Sequence, residues 1–338
     1  MIPYTRKTLP NGLTVVVNRD RASKLAAVNI LYRVGARNEN PARTGFAHLF
    51  EHLMFRGTRT VENFDLPVQM ASGDNNAFTN NDYTDFYITL PKDNLETALW
   101  LESDRMEGLD ITPAKLEAEK KVVIEEFRQR YLNQPYGDQT MLLRALAYKV
   151  HPYRWAAIGL ATDHIAGATL ADVESFYRTH YRPSNAILSI SADMEEERML
   201  ELAEKWFAPL ADHPSATAAI PQEPVQTQAR RQEVERDVPA STVTVAYHMC
   251  ARTKPDFYTA DLVSDLLSGG DSGRLYTHLV KERNLLSSVN AYITGDVDPG
   301  LFVFTGQLLP GVTPEAAEAA FREEIEALQT TAATAYEI

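Results

Sequence analysis

Only one cysteine, Cys250, occurs in the 338 residues. That excludes an internal disulfide and every multi-cysteine zinc site, and leaves metal ligation to histidine and carboxylate. Long apolar runs are missing too. None approaches the roughly 18 residues that a membrane-crossing helix needs, so a soluble protein with no membrane partner is expected. The opening Met-Ile-Pro-Tyr-Thr-Arg-Lys-Thr-Leu-Pro has no apolar stretch followed by small residues. No secretory signal is therefore expected, and the cytoplasm and, after removal of a leader, the periplasm both stay open. Positive charge is in deficit, with 33 Lys and Arg against 46 Asp and Glu and a net charge of −13. Such a balance repels phosphate backbones, which argues against nucleic acid, and attracts basic peptides. The plainer role of an acidic surface is to keep the protein in solution.

What is present is an ordinary globular composition, 44% hydrophobic and 23% charged. Its length exceeds one usual core, so two packed units are expected. Asn11-Gly12 supplies a positive-φ turn between apolar runs and predicts a hairpin over Thr8 to Val17, followed by a strand over Ala26 to Val34. Apolar residues at helical spacing predict a helix over Thr44 to Phe55, stopped at Gly57. A strand over Phe86 to Leu90 precedes a helix through Leu95 and Met106, with Asp93 as its cap. Thr112-Pro113 opens a long helix reaching Leu132. From about Asp212 to Gln232 the chain turns to Pro, Ala, Gln and Thr without apolar period, the composition of a linker. The predicted organisation is a first unit over 1–212, a linker over 213–233 and a second unit over 234–338. The second opens like the first, with a strand over Ser241 to Met249 and then a helix, and is expected to end early. Asp261 and Asp265 stand there in place of the first unit's histidines.

The chemistry lies in His48-Leu49-Phe50-Glu51-His52. Two imidazoles four apart on a helix share a face one turn from each other, and both reach one metal ion. Glu51 lies beside them, in the reverse order of the usual zincin motif, and is the natural base. A catalytic zinc needs a third ligand and an open position. On the long helix Glu119 and Glu126 are seven apart on one face, while Glu125 points about 100° away. Glu126 completes a His-His-Glu set and Glu119 orients an imidazole or the water. Two solvated histidines and surface glutamates are the plainer alternative. Asn76 to Thr79 reads either as an ordinary loop or as an edge strand with free backbone groups.

The inverted motif, the glutamate pair and the stretch between them resemble the insulinase/pitrilysin family of zinc metallopeptidases, with bacterial relatives of the mitochondrial processing peptidase as the nearest type. The resemblance implies zinc on His48, His52 and Glu126, Glu51 as general base and Glu119 as a catalytic support. It also implies a substrate peptide added as a strand beside Asn76, Ala77, Phe78 and Thr79. The implied fold is α+β: two ferredoxin-like units, each an antiparallel sheet with helices on one face. His151, His180 and His248 have no neighbour at metal spacing and are assigned to structure.

One departure stands out. Where the family's metal-free half carries an arginine and, seven residues later, a tyrosine that bind the substrate carbonyl, this chain has Val280 and Ser287. A second subunit or a C-terminal half is expected to supply that Arg/Tyr pair. Two other functions share the features: a non-catalytic assembly subunit of the same fold, and a metal-dependent small-molecule lyase with the same inverted motif.

Overall fold

The computed structural model describes residues 2–213, 218–335 and 337. Residues 214–217 of the predicted linker lie outside these. Met1–Asn133 with Tyr148–Val225 forms one compact unit, and Gln134–Ala147 with Gln226–Ile338 forms another.

In the first unit the hairpin pairs β1 (Thr5–Thr8) with β2 (Thr14–Arg19), Thr5 opposite Val17. Gly12 takes φ +89° in the turn. The Asn11 amide donates to the carbonyls of Phe207 and Leu210 at 2.7 and 3.0 Å, which ties the turn down. β3 (Leu25–Tyr32) buries Ala26, Val28, Ile30 and Tyr32 and turns Leu25 and Ala27 outward, the alternation of a sheet with one face in the core. α1 (Phe46–Leu53) buries Phe46, Ala47, Leu49, Phe50 and Leu53. The chain leaves it through Gly57 at φ +96°, where a Cβ would sit 2.5 Å from the Glu62 carbonyl. The short α2 (Asp65–Met70) leads to β4 (Asp74–Thr79), then β5 (Thr84–Pro91) and α3 (Leu95–Glu107). Asp93 does not cap α3: the chain first makes a tight turn over Lys92–Asn94, which places Asn94 at the cap position.

α4 (Pro113–Phe127) starts as predicted, the Thr112 hydroxyl accepting from Lys115 N at 3.2 Å, and continues as a π-helical segment over Arg128–Leu132. α5 (Gln139–Ala147) follows, then α6 (Thr162–Ala166), α7 (Leu170–His180), β6 (Ala186–Ala192) and α8 (Glu196–Phe207). The sheet order is β1-β2-β6-β3-β5-β4. It is mixed, not wholly antiparallel: β2 and β6 run parallel, as strands joined by a long crossover can. β4 lies at the edge and, among the described residues, pairs only with β5.

The second unit holds β7 (Thr242–His248), α9 (Asp256–Ser268), β8 (Leu286–Ile293), β9 (Leu301–Leu308) and α10 (Pro314–Thr330). Its antiparallel sheet runs β7-β9-β8 over a core of Leu267, Leu279, Phe304 and Phe321. The first unit is discontinuous, in contrast to the continuous 1–212 predicted. α5 belongs to the second unit because Gln139 donates to Thr244 and, at 3.2 Å, to Thr305, while Arg230 donates to the α5 carbonyls of Leu146 and Ala147. The described part of the linker has no helix or strand, yet Glu223 accepts from the backbone of Lys149, Val150 and His151 at 2.8–2.9 Å. No helix of the described residues is long and apolar enough to cross a membrane.

Candidate metal centre

α1 and α4 bring the three expected ligands together. The Nε2 atoms of His48 and His52 lie 3.6 and 3.4 Å from the same oxygen, Oε2 of Glu126. One ligand atom from each residue falls within 4.8 Å of the others, and no other such set of His, Cys, Asp or Glu exists among the described residues. With metal–nitrogen distances of about 2.0–2.1 Å, neighbouring ligands of a tetrahedral zinc stand about 3.3–3.4 Å apart. The donor set and its spacing therefore fit zinc. The two imidazoles meet edge to face with centroids 4.8 Å apart.

Below the set, Glu119 Oε2 lies 3.4 Å from His52 Nδ1, at 1% exposure. A carboxylate on the far ring nitrogen fixes the tautomer and leaves Nε2 free to ligate. Two arginines that sequence reasoning missed brace the glutamates. Arg56 pairs with Glu119, and Arg130 Nη1 pairs with Glu126 Oε1 at 3.0 Å. Each is four residues from a predicted ligand, Arg56 from His52 and Arg130 from Glu126, so the helical spacing rule was the signal available.

The electrostatics pull the two imidazoles apart. Burial and, next to it, the charge of His52 lower the His48 pKa against the pull of Glu126, so this ring is neutral and offers a lone pair. Burial also presses on His52, but hydrogen bonds to Glu119 and Glu126 outweigh it and raise its pKa to about 9. A hydrogen bond from His52 holds the Glu126 carboxyl below its usual range. The carboxylates thus create a place where one positive charge is favoured. Glu51 sits on the same helix, its pKa raised by burial against a hydrogen bond with the Thr79 side chain on β4.

Asn76, Ala77, Phe78 and Thr79 form most of edge strand β4, a strand with one unpaired side, and the Thr79 side chain among them bonds Glu51. His151 accepts from Tyr153 N at 3.1 Å, His180 packs tilted against Phe176 with centroids 4.6 Å apart, and His248 bonds the Ala147 carbonyl at 3.2 Å. In the second unit Asp261 and Asp265 are exposed. Val280 packs against the core there and Ser287 lies exposed on β8.

α1 has no side-chain cap of its own. Glu39, six residues upstream of the N-cap Gly45 and buried, accepts from Gly45 N at 2.9 Å and Ala47 N at 2.8 Å. No spacing rule would have found it. Glu39→Ala should cost about 1–3 kcal/mol of stability by orphaning two buried N–H groups, read as a shift of the denaturation midpoint. Burial, opposed by those same bonds, raises the Glu39 pKa to about 8. A carboxyl whose folded pKa is raised favours folding at low pH and loses that contribution as pH climbs towards 8. Glu39→Gln should therefore flatten the fall in melting temperature between pH 5 and pH 8.5.

Residues 14–155 match the family described as Insulinase (Peptidase family M16), and residues 167–338 match the description Peptidase M16 inactive domain. The zinc protease PqqE of Helicobacter pylori is 33% identical over 95% of this chain and 72% of its own length. The chain belongs to the insulinase family, peptidase family M16. His48, Glu51, His52, Glu119 and Glu126 all fall in the 14–155 segment of this M16 chain. A probable mitochondrial-processing peptidase subunit beta of Arabidopsis thaliana is 26% identical over 89% of the chain, which spans 59% of that relative's length. Among solved structures, a protease from Helicobacter pylori superposes with a TM-score of 0.94 at 32% identity, covering 100% of this chain and 82% of that one. A peptidase M16 inactive domain from Pseudomonas fluorescens, at 18% identity, shares the fold with a TM-score of 0.87, covering 99% of this chain and 81% of that one.

Proposed function

We propose that this M16 chain is a zinc-dependent endopeptidase that hydrolyses peptides or unfolded segments. The observation that carries the reading is the convergence of His48, His52 and Glu126 on one point, with Glu51 on the same helix bonded to Thr79 of edge strand β4. The names of the relatives, a zinc protease and a processing-peptidase subunit, support it.

His48, His52 and Glu126 are the residues that hold the metal. A zinc ion there supplies Lewis acidity, polarising the scissile carbonyl and lowering the pKa of water. Glu51 accepts the proton of the attacking water and delivers it to the leaving amine. Its raised pKa suits that exchange better than an ordinary carboxylate's, because it gives the proton up less readily to bulk water. Glu119 keeps His52 oriented through Nδ1. The free backbone groups of β4 at Asn76–Thr79 take the substrate as an added strand, which lays the peptide beside Glu51.

Val280 and Ser287 stand where an Arg/Tyr pair facing the developing oxyanion is expected. A second subunit or further half supplies it. In keeping with two-part architecture, the first half of the periplasmic protease PqqL from Escherichia coli aligns over 99% of this chain with a TM-score of 0.72. Turnover by the chain alone should then be about a hundredfold or more below that of the complete assembly. Equal rates would remove the need for a partner.

The test is metal analysis with fluorogenic peptides. One zinc per chain is expected, with cleavage stopped by chelator and restored by zinc. A zinc-loaded chain that cleaves no peptide, with or without its partner, would point instead to an assembly subunit.

A further inference from the structure

The face of the first sheet that carries no helix holds a buried acid the mechanism does not use. Opposed residues of an antiparallel pair share a face. Phe78 of β4 and Leu31 of β3 both stand opposite Asp85 of β5, and Asn76 and Asn29 both stand opposite Tyr87. The outward residues of β3, Leu25 and Ala27, place all of these on the open side. Phe78 and Tyr87 are 43% and 36% exposed, whereas Asp85 between them is only 6% exposed.

Asp85 receives one hydrogen bond, from the Asn29 amide at 2.6 Å, and no cation lies within ion-pair distance of it among the described residues. A neutral asparagine or threonine would make the same cross-strand bond without burying charge. Burial chiefly, and the charge of Glu102, hold its pKa near 6, so at neutral pH it is an ionised group without a countercharge. It lies one strand in from the edge that, on the reading above, receives the peptide.

A strand added to β4 would lie two strand spacings, about 10 Å, from β5. From there only a long side chain reaches Asp85. The stem of an arginine or lysine would lie on Phe78, and its charged head would meet the ring faces and the carboxylate together. The net charge of −13 draws such peptides towards the protein.

We propose that Asp85 is a specificity-determining residue which, with Phe78 and Tyr87, forms a subsite for an arginine or lysine side chain of the peptide lying along β4. This rests on the endopeptidase reading for the place of the peptide, but its test does not need turnover. Labelled decapeptides of neutral residues, with a single Arg or Gln scanned through each position, are titrated against the Glu51→Gln chain by fluorescence anisotropy. At one position Arg should bind about tenfold tighter than Gln. In the Glu51→Gln, Asp85→Asn double variant that ratio should fall to near one, with the melting temperature showing that asparagine keeps the fold.

A ratio near one in the parent, a ratio unchanged by Asp85→Asn, or no binding of any peptide overturns the subsite. The wild-type chain is then assayed on the same peptides. Arg-dependent binding without hydrolysis, by the zinc-loaded chain alone and with its partner present, would leave the subsite standing and remove the hydrolase; hydrolysis with no preference would do the reverse.

Discussion

Replacing Glu51 with glutamine should lower peptide turnover by about 10²–10⁴-fold, the usual contribution of a positioned general base. Zinc content should stay at one per chain, because Glu51 is outside the set of ligand atoms that converge. The substitution keeps the size of the side chain and its contact with Thr79, so folding and peptide binding should change little. The decisive measurement is kcat beside metal content on the same preparation. A variant that keeps both its zinc and its turnover would show that another group moves the proton.

The second large effect is on the metal itself. His48→Ala removes one of the three proposed ligands, and zinc should be lost from the purified chain. Glu119→Gln gives the scale for comparison: weakening a carboxylate that supports a ligating imidazole typically costs about 10–100-fold in metal affinity. His48→Ala should exceed that, and competition with a chelator of known affinity measures both. The Glu119 change also leaves Arg56 without its buried partner, so a loss of stability accompanies the loss of affinity. Equal zinc in His48→Ala and wild type would remove the centre formed by α1 and α4.

These expectations descend from two short stretches of sequence, and physics explains why those were readable. Residues four or seven apart on a helix share a face whatever surrounds the helix. His48 with His52, and Glu119 with Glu126, could therefore be grouped before any fold was known. Thr112-Pro113 announced the start of α4 for an equally local reason, an N-cap hydroxyl before a residue that has no N–H to satisfy. Asn11-Gly12 announced the first turn because only certain residues accept positive φ. Local rules misplaced the cap of α3, where a tight turn intervened, and missed α2, whose six residues hold too little periodicity to read.

What the chain could not reveal locally are the meetings between distant segments. That α4 lies against α1, so that Glu126 reaches both imidazoles, depends on packing between segments far apart in the sequence. The unpaired side of β4 exists because the sheet order ends there, and order is a property of the whole unit. Glu39 capping α1 from a loop, α5 joining the second unit and Asp85 lying bare of any cation are likewise decided by packing. The sequence by itself determined which side chains share a helical face and where turns and caps fall, because those follow from backbone geometry within a few residues. Only the tertiary structure decided which faces meet and which edge stays open, because burial and hydrogen bonding between remote segments are settled by the collapse of the whole unit.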